Sequence, residues 1–119
     1  MPVRSLTSSV IKWPDAETVV KAVRRWAREA AEKHENVVRI GYFGSYARGN
    51  WGVGSDVDLI AIVSKADRPF PERALDWNTL HLPVPADLLV YTAAEWEAME
   101  REQGGVTQQP IVWVYRRHD

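Results

Sequence analysis

The sequence predicts an α/β (α+β) fold: one small mixed β-sheet of about four to five strands with helices packed on it. Three observations carry that expectation. Apolar residues recur at spacings of three and four between Asp15 and about Lys33, as one buried helical face requires. Four short runs rich in β-branched and aromatic residues have strand length. These runs alternate with helical or turn-rich stretches in the order helix, strand, short helix, strand, loop, strand, helix, strand. At 119 residues the chain suits a single domain, 1–119, with its core over about 15–116.

The first twelve residues or so show no clear period and read as a tail or a short edge element. Val19, Val20, Val23, Trp26, Ala27, Ala30 and Ala31 then form the apolar stripe of the first helix. Asp15 is its expected N-cap, preceded by Pro14, and Arg24, Arg25, Arg28, Glu29, Glu32 and Lys33 supply the wet face. Val37 to Phe43 reads as a strand that stops at Gly44-Ser45. Ser45 to Arg48 is the first turn of a short helix, followed by a glycine-rich stretch through Gly49, Gly52 and Gly54. Asp56 to Val63 is nearly continuous in apolar residues after its first turn, so both of its faces should be buried.

Residues 65–83 contain Pro69, Pro71 and Pro83 and read as a loop with at most one short helix near Glu72 to Trp77. Val84 to Tyr91 is the next strand. Thr92 to Glu95 carries a capping-box signature, and Tyr91 with Trp96 could staple the helix start. That helix should run from Ala93 to about Gln103 and end at Gly104-Gly105, before a last strand from Ile111 to Tyr115.

Composition narrows the function. Lys plus Arg number 15 against 16 Asp plus Glu, so the surplus of basic residues on which large nucleic-acid or anionic-membrane faces rest is missing. The absence of cysteine excludes disulfide scaffolds, thiolate metal sites and cysteine nucleophiles. No apolar run approaches the roughly 20 residues of a membrane span, and the first residues lack the apolar stretch of a signal peptide. The expected compartment is the cytoplasm.

The chemistry concentrates in Gly44 to Asp58, GSYARGNWGVGSDVD. Asp56 and Asp58 stand two apart at the start of a strand, which would put both carboxylates on one face about 6–7 Å apart. Such a pair can cradle a hard divalent cation, although two solvated acids at a strand mouth would look the same. The Gly44-Ser45 turn offers backbone N–H groups and a hydroxyl suited to phosphate, or is simply a strand-to-helix turn. Asp87 lies inside the apolar run PADLLVY, where burial without a partner would cost several kcal/mol. If its strand pairs with the one after Asp56, three carboxylates converge; an exposed strand end or a pairing with Arg48 are the structural alternatives.

Weaker candidates surround these. His34, His81 and His118 share no metal-like spacing. Trp51, in the glycine-rich loop, could stack on a base or anchor the loop. Trp13, Trp26, Trp77, Trp96 and Trp113 read mostly as core, and Arg116-Arg117-His118 as a solvated basic tail.

Taken together, Gly44-Ser45-Tyr46-Ala47-Arg48-Gly49, Ser55-Asp56-Val57-Asp58-Leu59 and the distant Asp87 resemble the motifs of the minimal nucleotidyltransferases (MNT) of the polymerase-beta-like superfamily, with ten residues between Ser45 and Asp56. The resemblance covers roughly residues 16–115. It implies transfer of a nucleoside monophosphate, AMP from ATP, to a hydroxyl. It further implies that Asp56, Asp58 and Asp87 are catalytic and hold two Mg²⁺ ions, while Gly44, Ser45, Arg48 and Ser55 bind the nucleotide. Arg48 would add charge to the triphosphate or pair with a nearby acid. The chain lacks the helical domain of larger members, which points to a separate HEPN-type helical protein as acceptor, in an antitoxin-like role. A small-molecule acceptor, and a non-catalytic module that neutralises a helical partner by binding, are the competing functions. The resemblance leaves the oligomeric state, homo- or hetero-oligomer, open.

Overall fold

The computed structural model describes residues 13–50, 52 and 55–117. The first twelve residues, Trp51, Gly54 and His118 therefore lie outside the described residues, and with them the readings of a tail, a stacking tryptophan and part of the basic tail.

Helix α1 spans Ala16–Lys33 and starts where the sequence indicates: the Asp15 carboxylate accepts a 2.8 Å hydrogen bond from the Thr18 N–H. It buries Val19, Val23, Trp26, Ala27 and Ala30, the stripe set by its apolar spacing. Strand β1 (Val37–Phe43) leads into the four-residue helix α2 (Ser45–Arg48), and β2 is Val57–Val63. A crossover containing a 3-10 turn at Phe70–Asp76 then reaches β3 (Ala86–Thr92). Helix α3 (Ala93–Arg101), a second 3-10 turn at Gly105–Gln108 and β4 (Val112–Arg116) complete the described chain.

The four strands form one mixed sheet in the order β3-β2-β1-β4. β1 pairs antiparallel with both β2 and β4, and β2 pairs parallel with β3. Central position explains the composition of β2, whose residues 59–63 are all buried. One face packs α1 against Ile40, Tyr42, Leu59, Ala61 and Val63; the other packs Trp96 and Val106 against Phe43, Ile60 and Ile62. Among the tryptophans read as core, Trp26 and Trp96 are buried and Trp13, Trp77 and Trp113 half-buried.

Element boundaries shift for identifiable reasons. β3 starts at Ala86, two residues later than Val84, because Pro85 has no N–H to give a ladder; its carbonyl instead accepts from Val57 N–H. α3 closes at Arg101 because Gln103, with φ 55°, takes the left-handed position. The Gly104 N–H reaches the Met99 carbonyl at 3.0 Å and the Gln103 N–H that of Glu100, a Schellman-type end with Gln where Gly is usual. The capping box is formed: Thr92 Oγ1 accepts from the Glu95 N–H and a Glu95 carboxylate oxygen from the Thr92 N–H, with Tyr91 and Trp96 rings 6.0 Å apart.

One ion pair sits in this frame that the sequence does not announce. Arg73, 9% exposed, donates to both Glu95 carboxylate oxygens at 2.6 and 3.0 Å, and also to the Arg68 and Val90 carbonyls. It ties the crossover to the end of β3 and the start of α3. A bidentate guanidinium–carboxylate contact of this kind is among the stronger polar interactions.

Candidate functional site

Parallel pairing of β2 and β3 sets Asp58 directly beside Asp87. Side chains of paired residues in neighbouring strands share a face, and adjacent strands lie about 4.8 Å apart, so two carboxylates stand together at the start of both strands. Asp56 precedes β2 by one residue, so strand alternation governs Asp58 but does not reach it. It is nevertheless close enough to act on its neighbour. The Asp58 carboxyl is pushed above the usual range, first by burial, then by the charges of Asp87 and Asp56, while Arg48 pulls it down.

Asp87 is exposed near the start of its strand, the exposed strand end that the sequence leaves open as an alternative to burial. Among the described residues β3 is an edge strand, and Asp87 is its second residue, so water reaches it. The penalty that burial would bring therefore does not arise; its proximity to Asp58 is what marks it.

The strand-to-helix turn supplies the opposite wall. Gly44 has φ 73° and ψ −149°, a conformation that L side chains rarely adopt, and a Cβ there would lie 2.0 Å from Asp58 Oδ2. Backbone and carboxylate are thus in close approach, which only glycine permits. The Ala47 and Arg48 N–H groups turn back to the Gly44 carbonyl, and Gly49 closes α2 in the left-handed region. Ser45 is half-buried beside this turn and Arg48 exposed. Ser55 acts locally. Its Oγ accepts from the Gly52 N–H at 2.8 Å and its N–H donates back to the Gly52 carbonyl, holding the loop that delivers Asp56.

Among the described residues no three carboxylate or imidazole groups converge into a ready-made ion cage. The donor set still suits a hard divalent cation. It is all oxygen, two of its members are exposed at the surface, and the repulsion felt by Asp58 is what a cation would relieve. His34 is engaged elsewhere, stacked on Trp77 with ring centroids 4.2 Å apart. His34 and His81 both line a groove of about 690 Å³ between α1 and residues 76–82. No carboxylate of the Asp56–Asp58–Asp87 group lines it.

Two neighbours of the site escape a motif reading. Phe43 pairs with Asp58 across β1 and β2 and packs with Ile60 and Val106, giving the carboxylates an apolar flank. The signal for Phe43 is only its place before Gly44; for Val106 there is none, since its role depends on the return of the chain after α3.

No curated protein matches this chain. The fold is similar to the crystal structure of a candidate nucleotidyltransferase from Sulfolobus solfataricus, with TM-score 0.63 and 18% sequence identity over 90% of this chain and 93% of that one. Among the described residues no helix is long and apolar enough to cross a membrane. The family model of the nucleotidyltransferase domain matches residues 23–105, which span β1, the Gly44 turn, β2 and β3 with all three acids. Over more than two thirds of its length, therefore, the chain belongs to the nucleotidyltransferase domain family.

Proposed function

We propose that this nucleotidyltransferase moves AMP from ATP, with Mg²⁺, onto a hydroxyl of a HEPN-type helical partner in the cytoplasm. The observation that carries the reading is the register of β2 and β3, which stands Asp58 beside Asp87 while the Gly44 turn closes on the Asp58 carboxylate. Asp56 and Asp58 would hold the ions, with Asp87 on the side of the incoming hydroxyl. Divalent ions at such sites stabilise the attacking and leaving oxygens of an in-line displacement at phosphorus. The chain's own residues do the rest. Gly44 and Ser45 leave room and donors for the terminal phosphates, and Arg48 places a positive charge near the departing pyrophosphate. Asp87 would accept the hydroxyl proton, as positioned carboxylates do in general base catalysis. The bond from the α-phosphorus to the bridging oxygen breaks as the acceptor oxygen bonds to it, and pyrophosphate leaves.

A partner could cover Leu75 and Leu80, which are 75% and 89% exposed on the crossover. The test is incubation with ATP labelled at the α-phosphate, MgCl₂ and a lysate of the source cells, with Asp58→Asn as control. Label on a protein that disappears with the variant supports the reading; a partner retained without any label favours a neutralising module.

A further inference from the structure

Asp56 is the acid of the group that the sheet does not hold. It precedes β2, and among the described residues its carboxylate accepts no hydrogen bond and joins no ion pair, yet its charge acts on Asp58. An exposed side chain outside a ladder takes its place from the backbone on either side of it. Both sides are pinned here. On one, Ser55 is tied to Gly52 twice: the Ser55 Oγ accepts from the Gly52 N–H at 2.8 Å, and the Ser55 N–H donates to the Gly52 carbonyl at 2.9 Å. On the other, the Val57 N–H donates at 2.9 Å to the carbonyl of Pro85, just ahead of β3, so this pin also fixes Asp56 relative to Asp87. Of these three bonds only the one at Oγ depends on a side chain.

We infer that Ser55 is a positioning residue: its hydroxyl bridges to Gly52 to hold Asp56 beside Asp58, and it is not a ligand of the nucleotide. The inference rests on the nucleotidyl-transfer reading above, in which Asp56 and Asp58 hold the divalent ions, and it departs from the role that the family resemblance implies for Ser55. A serine hydroxyl has one proton and two lone pairs, and the bond from the Gly52 N–H fixes where its oxygen sits. Turning that hydroxyl toward a phosphate would release Gly52 and, with it, the lead into β2. Left in place, the bond removes conformational freedom from the backbone next to Asp56 before any ion arrives, so less ordering remains to be done on binding. Ser55 should therefore contribute to ion affinity at Asp56 and not to affinity for the triphosphate, which the same reading gives to Gly44 and Ser45.

The experiment compares the full chain with Ser55→Ala and Ser55→Thr, using circular dichroism to confirm that all three fold alike. Three quantities are read: exchange of the Gly52 amide in D₂O by NMR, calorimetric binding of Mn²⁺ without nucleotide, and binding of ATP at saturating MgCl₂. Ser55→Ala should speed the Gly52 exchange and weaken Mn²⁺ by roughly threefold to tenfold, the worth of one hydrogen bond, while ATP stays within about twofold. Ser55→Thr keeps the hydroxyl and should restore both the exchange rate and the Mn²⁺ affinity. In label transfer the MgCl₂ midpoint should rise by the same factor with Ser55→Ala, and the plateau should be retained. ATP weakened about tenfold with Mn²⁺ unchanged would make Ser55 a nucleotide ligand and overturn the inference, as would a Ser55→Ala chain that matches the wild type in all three quantities. A wild type that binds neither Mn²⁺ nor ATP overturns the transfer reading itself.

Discussion

The two ends of the β2–β3 pair handle charge in opposite ways. Where β3 ends, Glu95 is gripped by Arg73 and by the capping box, and the hydrogen bonds from Arg73 hold its carboxyl at about 2. At the start of the strands Asp58 stands against Asp87 and Asp56, and burial with like charge pushes its carboxyl up. One end has its acid held by hydrogen bonds and an ion pair; at the other, Asp56 and Asp87 act on Asp58 with only Arg48 pulling against them. Charge retained without a full set of partners is a cost, and a fold keeps it where a ligand will supply the missing charge. On the proposed function, that difference would separate a structural carboxylate from a functional one more clearly than burial does, since Asp87 and Asp56 are both exposed.

The largest effect should come from breaking the unsatisfied end. Asp58→Asn should lower nucleotidyl transfer by roughly a thousandfold or more, because ion-assisted stabilisation of phosphoryl chemistry is worth several kcal/mol. The measurement is label transfer from α-labelled ATP at saturating MgCl₂, with circular dichroism to show that the fold survives. Retention of more than a tenth of the activity would place the chemistry elsewhere.

Gly44→Ala tests whether the turn and the carboxylate share one space. Its Cβ would fall 2.0 Å from Asp58 Oδ2, at a φ of 73° that alanine resists. We expect a loss of about 1–3 kcal/mol in chemical denaturation, together with weaker ATP binding, as the carboxylate or the turn moves aside. Gly49→Ala is the control: it also has positive φ but meets nothing within 4 Å, so it should lose stability without displacing the carboxylate.

Much of this site is legible in the sequence because its logic is local. Gly44-Ser45 and Asp56-x-Asp58 each lie within one turn or one strand start, and periodicity locates α1, β1 and β2 to within a residue or so. Asp87 stands out by its oddity among Leu88, Leu89 and Val90, but the burial that those neighbours suggest is not the reason it matters. Exposure depends on which strand lies at the edge, and that is a property of topology. The Arg73–Glu95 pair and the Val106 anchor escape a sequence reading on the same ground. Each joins segments far apart in the chain, and neither has a local pattern that would give it away.

Breaking the satisfied end should cost less than abolishing chemistry, but it should be visible in stability. Arg73→Met leaves Glu95 with only the capping box. We expect a loss of about 1–2 kcal/mol at pH 7, less than the depression of the Glu95 carboxyl alone would suggest, because its side chain is 42% exposed and water screens the pair. Since Glu95 is depressed in the folded protein, its contribution is present above the ordinary glutamate value and is lost as pH falls from about 5 toward 2. Urea titrations at pH 7 and pH 3 should therefore show the wild type and Arg73→Met drawing together at the lower pH.

The smallest effect has the opposite sign and sharpens the contrast most. Asp58 is raised in the folded protein, so its ionisation opposes folding: the wild type is relieved of that cost below the ordinary aspartate value and bears it as pH rises through the raised one. The neutral amide of Asp58→Asn would carry no such charge beside Asp56 and Asp87. Without divalent ions, Asp58→Asn should thus be slightly more stable than the wild type at pH 7, by roughly 0.5 kcal/mol or ~2–4 °C in Tm, and the gap should close near pH 3. Adding MgCl₂ at pH 7 should reverse the order, since an ion bound to the folded state stabilises only the chain that holds it. A substitution that removes activity, gains stability without metal and loses the comparison with metal would show that the repulsion at this end exists to be filled. An Asp58→Asn chain that is less stable under both conditions would make Asp58 a structural acid like Glu95, and the contrast between the two ends would fail.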